Sequence, residues 1–294
     1  METQTAESIG IVLPRDSRGR QEEVERYVAA SVQMLADDLS KGASENMLKL
    51  LAFFARLHTY SAKNKLLIML QKPDASYVAS YTRWKQLDRQ VAKGSKAIYI
   101  YGPVTRKEQD AVTGERADRI LGFRLLPVFD ATSLTDIDEH PLPSLWAPLP
   151  DDVGPTLDAF IAKIRAEGVP VEIRKLKPGL QGLASPKGIV LSSAIPDSTN
   201  RLATCVHEYL HYRFHFSDRG KTLDTRQCET EAEASAHVIM RRLGIDYPFS
   251  GEYLKSYAVT PEMLLGSLEH INTMVRHVTH MLELEAPIDC LIAA

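Results

Sequence analysis

Three cysteines, Cys205, Cys228 and Cys290, are too few and too scattered for a disulfide scaffold, and no CxxC pair offers a zinc knuckle. So sparse and odd a set fits a reducing compartment. No apolar run reaches the roughly 18 residues that a membrane-spanning helix needs. Met1 to Arg20 is polar and lacks the hydrophobic stretch of a secretory signal. The expectation is a cytoplasmic protein with no membrane partner. There is no internal repeat and no low-complexity tract. Nothing reads as a helix-turn-helix, so sequence-specific duplex recognition is not expected. What remains is ordinary for a globular chain: 44% hydrophobic residues, a net charge of −3, and 294 residues, enough for two domains.

Against that background one stretch stands out. Cys205 to His211 reads C-V-H-E-Y-L-H and contains HExxH. Residues i and i+4 of a helix lie on one face, so His207 and His211 can offer two imidazole nitrogens to one metal ion. Glu208 between them can take a proton from water activated there. Thr204 to Phe216 has no Pro or Gly, Ser198 or Thr199 can cap a helix after Pro196, and Leu202, Val206 and Leu210 form an apolar stripe. Zinc is the expected metal, with manganese as the alternative.

A hydrolytic zinc site takes three protein ligands and leaves one position open. His215 lies four residues past His211, but His207 and His215 would be about 12 Å apart along a helix, too far to share a metal. The metzincin extension is absent, because Phe214 and Ser217 occupy its Gly and third His positions. The next helix offers Glu229, Glu231 and Glu233. Glu229 and Glu233 share a face and Glu231 points elsewhere. Glu229 can be the third ligand, with Glu233 holding a ligand histidine from behind. Glu231 as ligand, or a merely solvated acidic face at a helix N-terminus, are the competing readings. Tyr209, Tyr212 and Tyr253 are candidates for stabilising an oxyanion. Cys205 and Cys228 read as core residues.

Charge is unevenly spread. From Arg56 to Lys96 there are nine basic residues (Arg56, Lys63, Lys65, Lys72, Arg83, Lys85, Arg89, Lys93 and Lys96) against two acids, Asp74 and Asp88. The segment interleaves these bases with His58, Tyr60, Tyr77, Tyr81, Trp84, Tyr99 and Tyr101. A positive groove plus flat side chains is how single strands are bound without base readout. The candidate DNA contacts are Lys63, Lys65, Lys72, Arg83, Trp84, Lys85, Arg89, Lys93, Lys96, Tyr99 and Tyr101. For Trp84 the competing reading is a core residue.

Periodicity predicts helices from about Arg20 to Lys41, from Ser44, over Asn64–Leu70 and over Ser80–Leu87. Strands follow at Ala97–Tyr101 and Ile120–Phe129, around a charged loop from Lys107 to Asp118. Pro141, Pro143, Pro148 and Pro150 mark a linker. Beyond it come a helix (Thr156–Ala166), strands (Val169–Arg174 and Gly188–Leu191), the HExxH helix, and helices from Gln227 to Leu243 and Pro261 to Leu284. The division is a disordered tail (1–16), an N-terminal domain (17–132), a linker (133–152) and a C-terminal domain (153–294).

HExxH followed by an E-x-E-A-E-x-x-A helix resembles the gluzincin-like domain of ArdC-type antirestriction proteins and, more distantly, the ImmA/IrrE metallopeptidases. The N-terminal half is similar to the ArdC pattern at Asn64-Lys65-Leu66-Leu67, Gln71-Lys72-Pro73-Asp74-Ala75, Trp84, Val91 to Ile98, and Val128-Phe129-Asp130. The likeness runs from about residue 20 to about 245. The chain departs at Asp88, where Gly is expected, and at Leu126-Pro127, where aromatic or β-branched residues are usual. The resemblance implies an α+β fold, with N-terminal helices and a small antiparallel sheet followed by a zincin-like metallopeptidase domain. It implies single-stranded DNA as partner, an unidentified protein substrate, and antirestriction during plasmid entry by conjugation. It also implies Glu229 as ligand with Glu233 four residues on. The alternative is a non-catalytic single-strand-binding protector whose metal site is structural or vestigial.

Overall fold

The computed structural model describes residues 44–57, 59–109, 116–142, 152–245, 247 and 261–284, with Glu22 and Arg26. The expected tail 1–16 and most of the expected helix from Arg20 to Lys41 lie outside the described residues, as do His58, Tyr253 and Cys290. The fold is α+β, with two three-stranded sheets among the described residues. These residues form two compact units, one holding Glu22, Arg26 and residues 63–142 and the other residues 44–62 and those from 152 onward.

In the first unit, α2 (Ala62–Gln71) precedes β1 (Val78–Ala79), α3 (Tyr81–Gln86), β2 (Ile98–Gln109) and β3 (Arg116–Asp130), in the sheet order β1-β3-β2. β2 and β3 form one long antiparallel ribbon with a register shift between Val104 and Thr105. The ladder extends into the segment expected to be loop, pairing Lys107 with Asp118 and Gln109 with Arg116. Main-chain pairing does not require alternating apolar side chains, so the charged composition misled the boundary.

β2 is an edge strand, and α2 covers its open side. The Gln71 amide accepts from Tyr99 N at 2.9 Å and donates to Tyr99 O at 2.8 Å. Asn64, seven residues earlier on the helix, does the same for Tyr101, at 2.9 and 2.8 Å. Two amide side chains thus stand in for a neighbouring strand. Because Tyr99 turns its N–H and C=O toward α2, its pairing with Pro127 needs no N–H from Pro127. This is how a proline sits inside the central strand.

Ser80 caps α3, accepting from Arg83 N at 3.1 Å. Asp88 just beyond has φ 55°, the left-handed region that glycine enters without cost, which accounts for the Gly expected there. Buried Asp130 accepts from Ser76 N at 2.7 Å and Thr132 N at 3.0 Å, tying the end of β3 to the loop before β1.

The second unit contains α1 (Ser44–Arg56), α4 (Gly154–Ala166), β4 (Val171–Arg174), β5 (Gly182–Ser185), β6 (Gly188–Ser192), α5 (Ser198–Leu210), α6 (Thr225–Arg242) and α7 (Pro261–Met281). The sequence division assigned α1 to the N-terminal domain; in the structure it packs on α6. β6 is central, parallel to β4 and antiparallel to β5. Sequence reading missed β5, a four-residue edge strand of Gly, Leu, Ala and Ser with too little apolar alternation to signal itself. The Leu202, Val206 and Leu210 stripe of α5 is fully buried. The cap of α5 is Asp197, not Ser198 or Thr199; its carboxylate accepts from Asn200 N at 2.8 Å. Nor does the helix run on regularly to Phe216, because residues His211–His215 form a wider π turn. α6 begins two residues earlier than expected, at a capping box of Asp224 and Gln227. Among the described residues no helix is long and apolar enough to cross a membrane.

Candidate metal centre

The buried stripe of α5 fixes the rotation of that helix, which leaves His207 and His211 one turn apart and facing α6. α6 brings Glu229 to them. His207 Nε2 and His211 Nε2 lie 3.0 Å apart. The Glu229 carboxylate is 3.4 Å from each, one oxygen per ring. One donor atom of each residue lies within 4.8 Å of the other two. Three donors at zinc–ligand distances in a tetrahedral arrangement sit about 3.3 Å from one another. The three side chains therefore offer a donor set on the scale that a zinc-sized ion takes. Glu233, one turn on, puts a carboxylate oxygen 3.4 Å from His207 Nδ1, the nitrogen turned away from the centre.

The electrostatics are those of a site built for positive charge. Burial pushes the His207 imidazole down, but the carboxylates of Glu229 and Glu233 outweigh it and hold the pKa up, at about 10. Burial raises Glu229, yet hydrogen bonds to His207 and His211 bring it far below the usual carboxylate range. Glu208 differs. Burial raises its carboxyl, against the pull of His207 and His211, and the Ala184 backbone N–H on β5 supplies a hydrogen bond.

Behind His211 lies a chain of contacts that sequence reading missed. His211 Nδ1 is 2.9 Å from His215 Nδ1, and His215 Nε2 is 3.2 Å from Glu231 Oε2. Arg219 forks onto both Glu231 oxygens, at 2.9 and 2.5 Å. Burial raises Glu231, and His215, Arg219 and Ser267 more than offset it, bringing the pKa to about 2. Glu231 is thus committed to His215 and Arg219, and the reading of it as a metal ligand is set aside. His215, excluded as a ligand on distance, turns out to contact one. The available signal was its i+4 spacing from His211.

Tyr209 is not free to meet a substrate: it is buried, and its hydroxyl contacts Glu167 Oε2 and His277 Nε2 at 2.8 Å each. Tyr212 stacks edge-on against Phe216. Cys205 is buried, its thiol pushed up to about 12 by burial; Cys228 is half-buried.

The basic segment divides into surface and interior. Lys63, Lys85, Lys93 and Lys96 are exposed, and Lys63 Nζ sits 4.1 Å over the Tyr101 ring. Lys72 pairs with Asp74 at 3.1 Å, Arg83 donates to Gln86 at 2.9 Å, and Arg89 is held by Asp136 and the His140 carbonyl. Tyr99 is half-buried. Lys65, Tyr101 and Trp84 are buried, and the Trp84 indole N–H donates to Phe129 O at 2.9 Å. Bases cannot stack on a fully buried indole, so Trp84 belongs to the core, and Lys65 and Tyr101 are likewise interior.

Residues 20–129 match the family model described as the N-terminal domain of anti-restriction factor ArdC. No curated protein sequence matches the chain. Among solved structures it is similar to the antirestriction protein ArdC from plasmid R388. The metal-free crystal structure of that protein is 18% identical, with a TM-score of 0.49 over 87% of this chain and 97% of that one. Its Mn(II)-bound structure is 18% identical, with a TM-score of 0.45 over 76% and 87%.

Proposed function

We propose that this chain, whose residues 20–129 match the model of the N-terminal domain of anti-restriction factor ArdC, is an antirestriction protein of that type, a metal-dependent peptidase joined to a single-stranded-DNA-binding domain, and that it protects incoming plasmid DNA in the recipient cell. The observation that carries the peptidase half is Glu208. It lies outside the group of three donors, half-buried, with its carboxyl raised and steadied by the Ala184 N–H. A purely structural metal site has no use for such a group.

His207, His211 and Glu229 would hold the ion, and Glu233 would orient His207. Two imidazoles and a carboxylate suit zinc, and manganese accepts the same donors. Zinc supplies Lewis acidity, which acidifies water and polarises a carbonyl. Glu208 then acts as the proton carrier: its carboxylate takes a proton from the attacking water and returns it to the leaving amine. Its raised pKa suits both halves of that exchange. The exposed Lys63, Lys85, Lys93 and Lys96 are the groups available to a phosphate backbone in the N-terminal unit.

The deciding experiment compares wild type with Glu208→Gln. Wild type should hold about one zinc per chain and cleave members of a peptide library, whereas Glu208→Gln should keep the zinc and lose cleavage. DNA protection that survives Glu208→Gln unchanged would mean that peptidase chemistry is not what protects, and would favour the non-catalytic alternative. A gel shift with single- and double-stranded oligonucleotides tests the other half. Equal affinity for both, or no salt dependence, would overturn the single-strand reading.

A further inference from the structure

The geometry points to His215 as a positioning residue that, backed by Glu231 and Arg219, fixes which nitrogen of His211 is available to a metal. The inference rests on the metal reading above and concerns residues that do not themselves touch the ion.

His211 Nδ1 and His215 Nδ1 are 2.9 Å apart, a hydrogen-bond distance, so one nitrogen carries the hydrogen and the other the lone pair. The far end of the chain decides which. Glu231, doubly bonded by the Arg219 guanidinium, is an ionised carboxylate and can only accept. His215 Nε2, 3.2 Å from it, must therefore be the N–H. A neutral His215 then presents its lone pair at Nδ1 and accepts from His211 Nδ1–H. That leaves the lone pair of His211 on Nε2, the nitrogen facing His207 and Glu229. Arg219 secures this outcome by donating to both oxygens of Glu231, which fixes the carboxylate as an acceptor toward His215 Nε2.

The arrangement is built into the fold. Glu231 is fully buried and His215 is 8% exposed. The π turn carries both rings on one segment. The loop bearing Arg219 is held tightly over His215, because a Cβ on Gly220 would fall 1.9 Å from the His215 carbonyl oxygen. His207 is oriented differently, by Glu233 directly. The two ligand histidines thus have separate supports, and removing one leaves the other intact.

The test measures zinc affinity by competition with a chromophoric chelator for wild type, His215→Phe and His215→Asn. Phe keeps the ring and loses both nitrogens, whereas Asn keeps an acceptor near the Nδ1 position. His215→Phe should weaken zinc about 10- to 100-fold, and His215→Asn should recover most of that loss. Nitrogen-15 NMR of the zinc-loaded wild type should show the His211 hydrogen on Nδ1, with scalar coupling across the hydrogen bond to His215. Unchanged affinity in His215→Phe overturns the proposal, as do equal losses in both variants, which mark a merely structural role. If the variants do not fold, the wild-type spectrum decides: a His211 ring bound through Nδ1, or no coupling to His215, overturns it. A wild-type chain that takes up no zinc overturns the metal reading itself and this inference with it.

Discussion

Gly182 on β5 lies so close to Glu208 that a Cβ at residue 182 would fall 2.6 Å from both Cγ and Oε1 of the glutamate. The same Cβ would meet Thr204 Cγ2 at 2.7 Å. Glycine at this position is thus what allows the carboxylate to stand beside the edge strand. Gly182→Ala should force Glu208 aside and spare His207, His211 and Glu229, none of which supplies one of the three atoms nearest that Cβ. A displacement of about 1 Å at a reacting group can cost on the order of 100-fold in rate. The expected outcome is a large fall in kcat on a cleaved peptide with zinc affinity near wild type. Loss of zinc binding in step with activity would contradict this assignment.

The raised pKa of His207 gives the site a pH signature. Without metal, the ring keeps its proton up to about pH 10, held by Glu229 and Glu233 against the cost of burial. A histidine whose folded pKa exceeds its unfolded value stabilises the fold below about pH 6.5 in full, and this contribution is lost as pH rises through the folded value. The Tm of the metal-free protein should therefore drift down between about pH 6.5 and 10. Zinc must displace the proton, so zinc binding at pH 8 should release about one proton per site, and affinity should climb with pH. Calorimetry in buffers of differing ionisation enthalpy measures the proton count; no release would refute the protonated His207. At a free zinc concentration of 100 Kd the fold should gain about 2.7 kcal/mol, removable with a chelator.

Asn64 and Gln71 matter for a different reason. Each satisfies one N–H and one C=O on the open side of β2. Replacing either by leucine leaves two main-chain groups without those partners, at about 1–3 kcal/mol per buried group. Asn64→Leu and Gln71→Leu should each lower Tm. The double variant should also associate through the uncovered strand, seen as a shift in size-exclusion elution. A double variant that is as stable and monodisperse as wild type would show that α2 is not the guard of that edge.

These residues also show what the sequence made legible. Spacing alone put His207 and His211 on one face, separated Glu231 from Glu229 and Glu233, and ruled out His215 as a ligand, because helix geometry is local and periodic. What lay beyond reach depended on contacts distant in the chain. β5 carries no periodic signal, yet it brings Gly182 and Ala184 to Glu208. Arg219 is an unremarkable loop residue until α6 sets Glu231 opposite it. Several N-terminal residues singled out in the sequence hold the fold together: Trp84, a candidate DNA contact, fills the core, Asp130 ties the end of β3, and Asp88 takes a left-handed turn. Basic and aromatic composition does not distinguish a surface from an interior; only burial does.

That separation yields the last prediction. Lys93 and Lys96 are exposed beside the turn at Gly94, whereas Arg89 is engaged by Asp136 Oδ2 at 2.9 Å and by the His140 carbonyl at 2.7 Å. Each phosphate contact on single-stranded DNA contributes about 0.7 to the slope of log K against log salt. Lys93→Glu with Lys96→Glu should weaken binding of an oligonucleotide of any sequence and flatten that slope by about 1.4, with Tm nearly unchanged. Arg89→Ala should do the reverse, lowering Tm with little change in slope, because it removes a tether and no free charge. Trp84→Ala should cost about 3–5 kcal/mol and abolish binding only by unfolding its unit. Fluorescence anisotropy across a salt series, with thermal melts of the same samples, separates the three. A slope that is steep in the lysine pair variant and flat in Arg89→Ala would move the phosphate contact from the Gly94 turn to the Arg89 side.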